Sequence, residues 1–309
     1  MSNEGQRPAI GFVGLGVMGA PMVSHLHRHG YSVTLHDVQH EQTEALAARL
    51  GDRARAVRTP REVAAASDIV ITMLPHGGIV QAVTFGEDGL ASGFKPGSLL
   101  LDTSSAEPWL TQDTAKRLAT QGVSVVDAPV SGAQWGAEAA NLVFMVGGSV
   151  DDLERVRPVL TCMGPSIFHL GALGAGHSMK CINNLITAIT LTATAEGLTI
   201  GKACGLDPEA MVKVMNVSTS GSWISQTHIE QRVLSRRFDD PFKLELMLKD
   251  MGIANALARE QHIPAPVSGL GYQLWQAASR AAGEGASVSE IVRWIEQMAG
   301  TDITAGANS

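Results

Sequence analysis

The sequence predicts an α/β N-terminal half built on a mostly parallel sheet, followed by an all-α C-terminal half. Three observations carry this. Up to about residue 171, short apolar runs alternate with segments rich in Ala, Arg, Gln and Glu, the pattern of strands separated by covering helices. The alternation stops at Gly171-Ala-Leu-Gly-Ala-Gly176, and no strand pattern follows it. The length of 309 residues suits two domains at about 150 residues each. The expected domains are 1–171 and 172–309.

The first predicted strand, Ile10–Val13, runs into Gly14-Leu15-Gly16-Val17-Met18-Gly19. A helix-compatible stretch from Ala20 to Arg28 follows, then a second strand, Ser32–Leu35, with Asp37 just beyond it. A lone GxGxxG says little. Between strand and helix, with an acid about 20 residues on, it points to a Rossmann-type dinucleotide site. The first glycine permits a tight turn, the second lets the backbone approach a pyrophosphate, and the third lets helix and strand pack closely. The phosphates would rest on free N–H groups at the helix start, where the helix dipole favours negative charge.

Further strands are expected at Ile69–Met73, Ser98–Leu101, Ser124–Val126 and Leu142–Val146, with helices such as Glu41–Leu50 and Leu110–Thr120 between them. The runs Ile69-Val-Ile-Thr-Met-Leu74 and Ser98-Leu-Leu-Leu101 read as central strands buried on both faces. Past the glycine-rich joint, a long helix is expected from about His177 to Ala203, stopped by Gly205. Asp207-Pro208 reads as the N-cap and first position of the next helix. Helical segments follow at Ile224–Leu234, Leu244–Gln261, Gly269–Ala282 and Val288–Met298.

Composition narrows the function classes. A net charge of −7 and the absence of any long basic run argue against nucleic acid as a main partner. Cys162, Cys181 and Cys204 lack CxxC spacing, which fits a reducing compartment and no zinc site. The ten histidines are scattered and converge on no metal site. The apolar stretch from Ala9 to Val23 is punctuated by glycines and lacks a basic start, so it does not read as a signal peptide. Cys181 to Ala195 carries no charge but is too short for a membrane span. A cytoplasmic location is the expectation.

At the end of the second strand, Asp37 can accept hydrogen bonds from ribose hydroxyls and would repel a 2′-phosphate. Val38, Gln39 and His40 follow it, and the next arginine is Arg49. NAD is therefore expected, with NADP and then FAD less favoured. Lys180 and Asn184 lie four apart on a predicted helix and share a face. A lysine opening a charge-free helical stretch loses its proton more readily, because burial disfavours the ammonium form. It could exchange a proton with a substrate hydroxyl, with Asn184 orienting hydroxyl or amine. On spacing alone, a lysine snorkelling from a helix end is the better fit. Ser131 and the N–H groups of Gly132 and Ala133 could form an anion nest for a carboxylate, or simply a proline-containing turn. Lys249-Asp250 fits an ordinary solvated charge pair. Trp223 is either a core aromatic or a pocket wall, and His228 is a further pocket candidate.

Four blocks in order resemble the β-hydroxyacid dehydrogenase family, the family of 3-hydroxyisobutyrate dehydrogenase. They are Gly11-Phe-Val-Gly-Leu-Gly-Val-Met-Gly-Ala-Pro-Met22, Asp127-Ala-Pro-Val-Ser-Gly-Ala-Gln-Trp-Gly-Ala137, Gly174-Ala-Gly-His-Ser-Met-Lys-Cys-Ile-Asn-Asn184 and Lys249-Asp-Met-Gly-Ile-Ala254. The resemblance implies that Lys180 is the catalytic lysine. It implies substrate contacts at Ser131, Gly132, Ala133 and Asn184, and cofactor contacts at Leu74, Pro75, Ser105 and Lys249. Two departures stand out. Ala133 occupies a position where the family usually has glycine, a replacement a nest tolerates if φ stays negative, and Ala140-Asn141 replaces a common Gly-Thr pair. Imine reductases usually carry Asp or Tyr where this chain has Lys180. The 6-phosphogluconate dehydrogenases have His where this chain has Asn183.

The implied activity is NAD-dependent oxidation of a small 3-hydroxy acid. The alternative is reduction of a related semialdehyde of the tartronate or sulfolactaldehyde type. A more distant one is a non-catalytic NAD-binding module. The apolar helix from Cys181 onward suits burial between subunits, so a homodimer or homotetramer is expected.

Overall fold

The structure, a computed structural model, describes residues 7–304. It divides into two compact units, one running to Lys180 and the other starting at Cys181.

The first unit opens with β1 (Ile10–Val13), α1 (Gly19–Arg28), β2 (Val33–His36), α2 (His40–Leu50), β3 (Ala54–Ala56) and α3 (Pro60–Ala65). Next come β4 (Ile69–Thr72), α4 (Gly77–Phe85), β5 (Leu99–Asp102), α5 (Pro108–Ala119) and β6 (Ser124–Asp127). The remainder is β7 (Val130–Ser131), α6 (Ala133–Glu138), β8 (Val143–Gly147), α7 (Val150–Thr161), β9 (Ser166–Gly171) and the start of α8 (Ala175–Ala203). The strand order is β3-β2-β1-β4-β5-β6-β8-β7, with β9 beside β8. From β3 to β6 every pairing is parallel, as helical crossovers on both faces require. All four residues of β1, β4 and β5 are buried, the two-sided burial expected of the central runs.

The parallel run ends where the connections shorten. Only Ala128-Pro129 separates β6 from β7, and proline has no N–H to give the ladder. There β8 pairs antiparallel with both β6 and β7. β3, β7 and β9 fall outside the predicted strands. They are three, two and six residues long, and none of their residues is fully buried in β3 or β9, so no apolar alternation marks them. The predicted helices lie within a few residues of those found. Thr59 and Glu62 form a reciprocal capping box at the start of α3.

The second unit holds the rest of α8, then α9 (Pro208–Asn216), a π-helix (Ile224–Leu234), α10 (Leu244–Glu260), α11 (Pro266–Ala282) and α12 (Glu290–Ala299). Asp207 caps α9 with Pro208 at its first position, as the sequence suggests. Its core gathers Leu191, Leu198, Ile229, Met251, Trp275 and Ile291. The buried Trp275 indole N–H donates to Thr192 Oγ1 at 2.9 Å, which meets the polar demand of a buried indole. Among the described residues this unit has no strand, only an isolated bridge between Lys243 and Ser287.

Candidate active site

The glycine loop joins β1 to α1. Gly14 sits at φ +98°, and a Cβ there would collide with the Met73 carbonyl oxygen. A Cβ on Gly19 would strike the carbonyl oxygen of Gly14. These two glycines are thus demanded by the fold itself. Gly16 is different: a Cβ there would meet nothing within 4 Å. The protein's own packing leaves that position open, as a loop over which a pyrophosphate lies requires. Met18 supplies no side-chain cap to α1; the Ala20 N–H donates to the Gly16 carbonyl at 3.1 Å and Pro21 has none, so an anion there would be met by the N–H groups of the loop ahead of Ala20.

Asp37 follows β2 and is tied into the loop. Its Oδ2 accepts the Leu15 N–H at 2.7 Å and its Oδ1 the Gln39 N–H at 2.9 Å. Both oxygens retain lone pairs for ribose hydroxyls. The glycine loop and this carboxylate fit an adenine dinucleotide without a 2′-phosphate. Leu74 and Pro75 follow β4, and Ser105 follows β5. The sequence reading missed the neighbouring Ser104. It is buried and its Oγ accepts the Leu74 N–H at 2.9 Å, while its own N–H donates to Asp102 Oδ1 at 3.0 Å. A hydroxyl pair at a strand end was the available signal.

Ser131 ends β7, and Gly132 and Ala133 turn the chain into α6. Gly132 has φ +129° and Ala133 has φ +52°. The condition on which a nest tolerates alanine, a negative φ at Ala133, is therefore not met. Ala140 also lies at φ +53°. Both alanines that replace family glycines thus occupy backbone where only glycine is free of strain.

On α8, Lys180 and Asn184 are both buried. The Asn184 amide donates to Asp250 Oδ2 at 2.6 Å and its Oδ1 accepts from Asn183 Nδ2 at 3.3 Å. Lys249 Nζ stands 3.2 Å from Asp250 Oδ1. The reading of Lys249-Asp250 as a solvated pair fails, because Asp250 is fully buried. Trp223 is about half exposed and immediately precedes the π-helix, which replaces the expected α-helix over Ile224–Leu234. Its ring centroid lies 6.1 Å from that of His228. His228 is buried, with Nδ1 3.4 Å from Asp240 Oδ2 and Nε2 3.3 Å from Ser289 Oγ. Over eleven residues, apolar spacing does not separate π from α. Among the described residues no cluster of three or more His, Cys, Asp or Glu could hold a metal.

The parallel sheet, the glycine loop and the acid after β2 define a nicotinamide-dependent oxidoreductase with a helical second unit. The comparisons agree. Residues 9–171 match the family model of the NAD binding domain of 6-phosphogluconate dehydrogenase. Residues 174–295 match that of the NAD-binding domain of NADP-dependent 3-hydroxyisobutyrate dehydrogenase. The chain is 38% identical to 2-(hydroxymethyl)glutarate dehydrogenase of Eubacterium barkeri, over 96% of this chain and 98% of that one. It is 34% identical to the NAD-dependent L-serine dehydrogenase of Pseudomonas aeruginosa, over 86% of this chain and 91% of that one. The solved structure of Mycobacterium tuberculosis 3-hydroxyisobutyrate dehydrogenase with L-serine aligns with a TM-score of 0.83 and 29% identity, covering 94% of this chain and 99% of that one. The chain belongs to the β-hydroxyacid dehydrogenase family, and it is an NAD-dependent hydroxyacid dehydrogenase. Among the described residues no helix is long and apolar enough to cross a membrane.

Proposed function

We propose that the substrate is a small 3-hydroxy acid and that Lys180 is the general acid/base. The observation that carries this is Lys180 itself: a buried lysine in the second turn of α8, one turn before an asparagine whose amide is held by a buried carboxylate. The named substrates of the relatives share one skeleton, HO–CH2–CH(R)–COO⁻, with R a methyl, an ammonium or a carboxyethyl group. We assign that skeleton to the substrate. Bound NAD supplies the hydride acceptor at nicotinamide C4. Gly14 to Gly19 and Asp37 hold its pyrophosphate and ribose, with Leu74, Pro75, Ser105 and Lys249 as further contacts.

In oxidation, the Lys180 amine takes the hydroxyl proton while the C3–H bond gives up its hydride, leaving the semialdehyde. Asn184 orients the hydroxyl. Ser131, Gly132 and Ala133 receive the carboxylate, and Trp223 lines the pocket for R. NADH formation against a panel of 3-hydroxyisobutyrate, L- and D-serine, glycerate and 2-(hydroxymethyl)glutarate tests the substrate class. Turnover of one acid supports it. Silence with all of them, alongside NADH oxidation by tartronate semialdehyde or sulfolactaldehyde, replaces it with the reductive reading. Lys180→Ala should lower kcat by about 10²–10⁴. Near-normal turnover in the folded variant removes Lys180 from the mechanism. The apolar side chains Ile182, Ile186 and Ile200, exposed along α8, support self-association as a homodimer or homotetramer. A monomer in light scattering overturns that part.

A further inference from the structure

Helix α8 starts against the ends of three strands, and a buried polar cluster fixes that start. Asp127 ends β6 and has no exposed surface. Its Oδ1 accepts the Gly174 N–H at 2.7 Å and its Oδ2 the His177 N–H at 2.8 Å. There is no slack around it. A Cβ on Gly147 would collide with Asp127 Oδ1, and one on Gly176 would collide with the Met145 carbonyl oxygen. The His177 ring is wholly buried. Its Nδ1 shares a 2.8 Å hydrogen bond with Thr111 Oγ1 of α5 and lies 3.9 Å from Asp127 Oδ2. Its Nε2 has no hydrogen-bond partner among the described residues and lies 3.7 Å from Asp102 Oδ2. Asp102 is held in turn by Thr72 Oγ1 at 2.9 Å and by the Ser104 N–H, and Ser104 holds the Leu74 N–H.

Burying such a cluster carries a desolvation cost. Two carboxylates and an imidazole taken out of water cost several kcal/mol per ion, and apolar replacements of such groups are often neutral or stabilising. What the cluster does is link the turn at Leu74 to the first turn of α8. Lys180 lies three residues beyond His177, and about 7.5 Å along the axis from Ala175 at 1.5 Å per residue. A tilt or slip at the helix start therefore moves the amine directly.

We propose that Asp127 and His177 are positioning residues that set the place of the Lys180 amine. The proposal rests on the reading of Lys180 as acid/base. The test measures kcat, KM and NADH affinity for Asp127→Asn and His177→Gln, each alone and combined with Lys180→Ala. A misplacement of about 1 Å costs up to about 10² in rate, so each single variant should lose about 10- to 100-fold in kcat. Affinity for NADH and KM for the hydroxy acid should stay within about threefold. On the Lys180→Ala background the same substitutions should add less than about twofold, because residues that act through one group are not additive. A structural role alone would lower Tm and repeat its full kinetic loss on that background. That result overturns the proposal, as does a His177→Gln enzyme with wild-type kcat. If Asp127→Asn does not fold, His177→Gln decides, since it leaves both N–H bonds to Asp127 in place. An active Lys180→Ala overturns the acid/base reading instead, so the two failures are distinct.

Discussion

Gly16 and Gly14 occupy the same loop, yet alanine should fail at them in opposite ways. At Gly14 the backbone lies at φ +98° and a methyl would collide with the Met73 carbonyl oxygen. Positive φ costs an alanine about 1–2 kcal/mol, and the collision adds backbone displacement, so Gly14→Ala should lower Tm by several degrees. At Gly16 a methyl has open space and φ outside the left-handed region. Replacing such a glycine stabilises by about 0.4–1 kcal/mol through the unfolded chain, so Gly16→Ala should melt at or slightly above the wild-type temperature. The added methyl should occupy the approach of the pyrophosphate. Forcing a methyl into a filled contact costs about 1–3 kcal/mol, roughly a 5- to 140-fold loss in NADH affinity at 1.4 kcal/mol per decade. Calorimetry and NADH fluorescence titration separate the two effects. A Gly16→Ala protein that binds NADH as tightly as the wild type refutes the placement of the pyrophosphate over Gly16.

Ala133→Gly and Ala140→Gly remove left-handed alanines at φ +52° and +53°. Each should raise stability by up to about 1 kcal/mol after the glycine's unfolded-state entropy is subtracted, and unchanged or lower Tm for both would show that the turns carry no strain. Asp37→Arg should move preference toward NADP and also loosen the loop by losing the bond to the Leu15 N–H; cofactor preference unchanged in steady-state kinetics would mean that Asp37 does not reach the ribose. The Glu62 carboxyl is held below its ordinary range by the Thr59 and Arg58 N–H groups. Its contribution is therefore present above the unfolded carboxyl range and lost as pH falls through the folded one. The Tm gap between wild type and Glu62→Gln should close on acidification, and a gap that widens in acid would contradict the capping box.

The sequence revealed elements whose signals are local. Continuous apolar runs gave β1, β4 and β5, and the GxGxxG spacing marked the turn from β1 into α1. Asp207-Pro208 marked the start of α9. What it hid depends on partners far along the chain. Asp127 and His177 are 50 positions apart; each lies in one of the family blocks, but nothing in either block shows that the two meet. Ser104 is adjacent to the residue the family pattern selects, yet only the path of β5 shows that it is Ser104 that holds the turn at Leu74. The positive φ of Ala133 was hidden because a residue name carries no dihedral angle. Its signal, an alanine where glycine is usual, became strain only when the turn into α6 was seen.

Burial likewise changes the meaning of Lys249-Asp250. As two adjacent charges on a helix, they read as surface. With Asp250 inside, its carboxylate needs compensation, and it finds the Asn184 amide as a donor to Oδ2 at 2.6 Å and the Lys249 ammonium as an ion-pair neighbour of Oδ1 at 3.2 Å. That fixes which way round the Asn184 amide lies. One N–H is committed to Asp250, and Oδ1 already accepts from Asn183. An amide has two donors and two acceptor lone pairs, so one donor and one lone pair remain at Asn184. The remaining N–H can donate to a hydroxyl oxygen, whose one proton is then left for the Lys180 amine of the proposed reaction. A carboxylate can only accept, and would leave the lone pair facing its charge. Under the proposed reaction, Asn184 therefore suits the reacting hydroxyl better than the carboxylate. Asp250→Leu should release the amide and reduce kcat/KM by about 10-fold or more, in line with about 1–3 kcal/mol for a buried donor left unpaired. Unchanged kinetics in the folded variant would show that Asn184 keeps its orientation without the carboxylate.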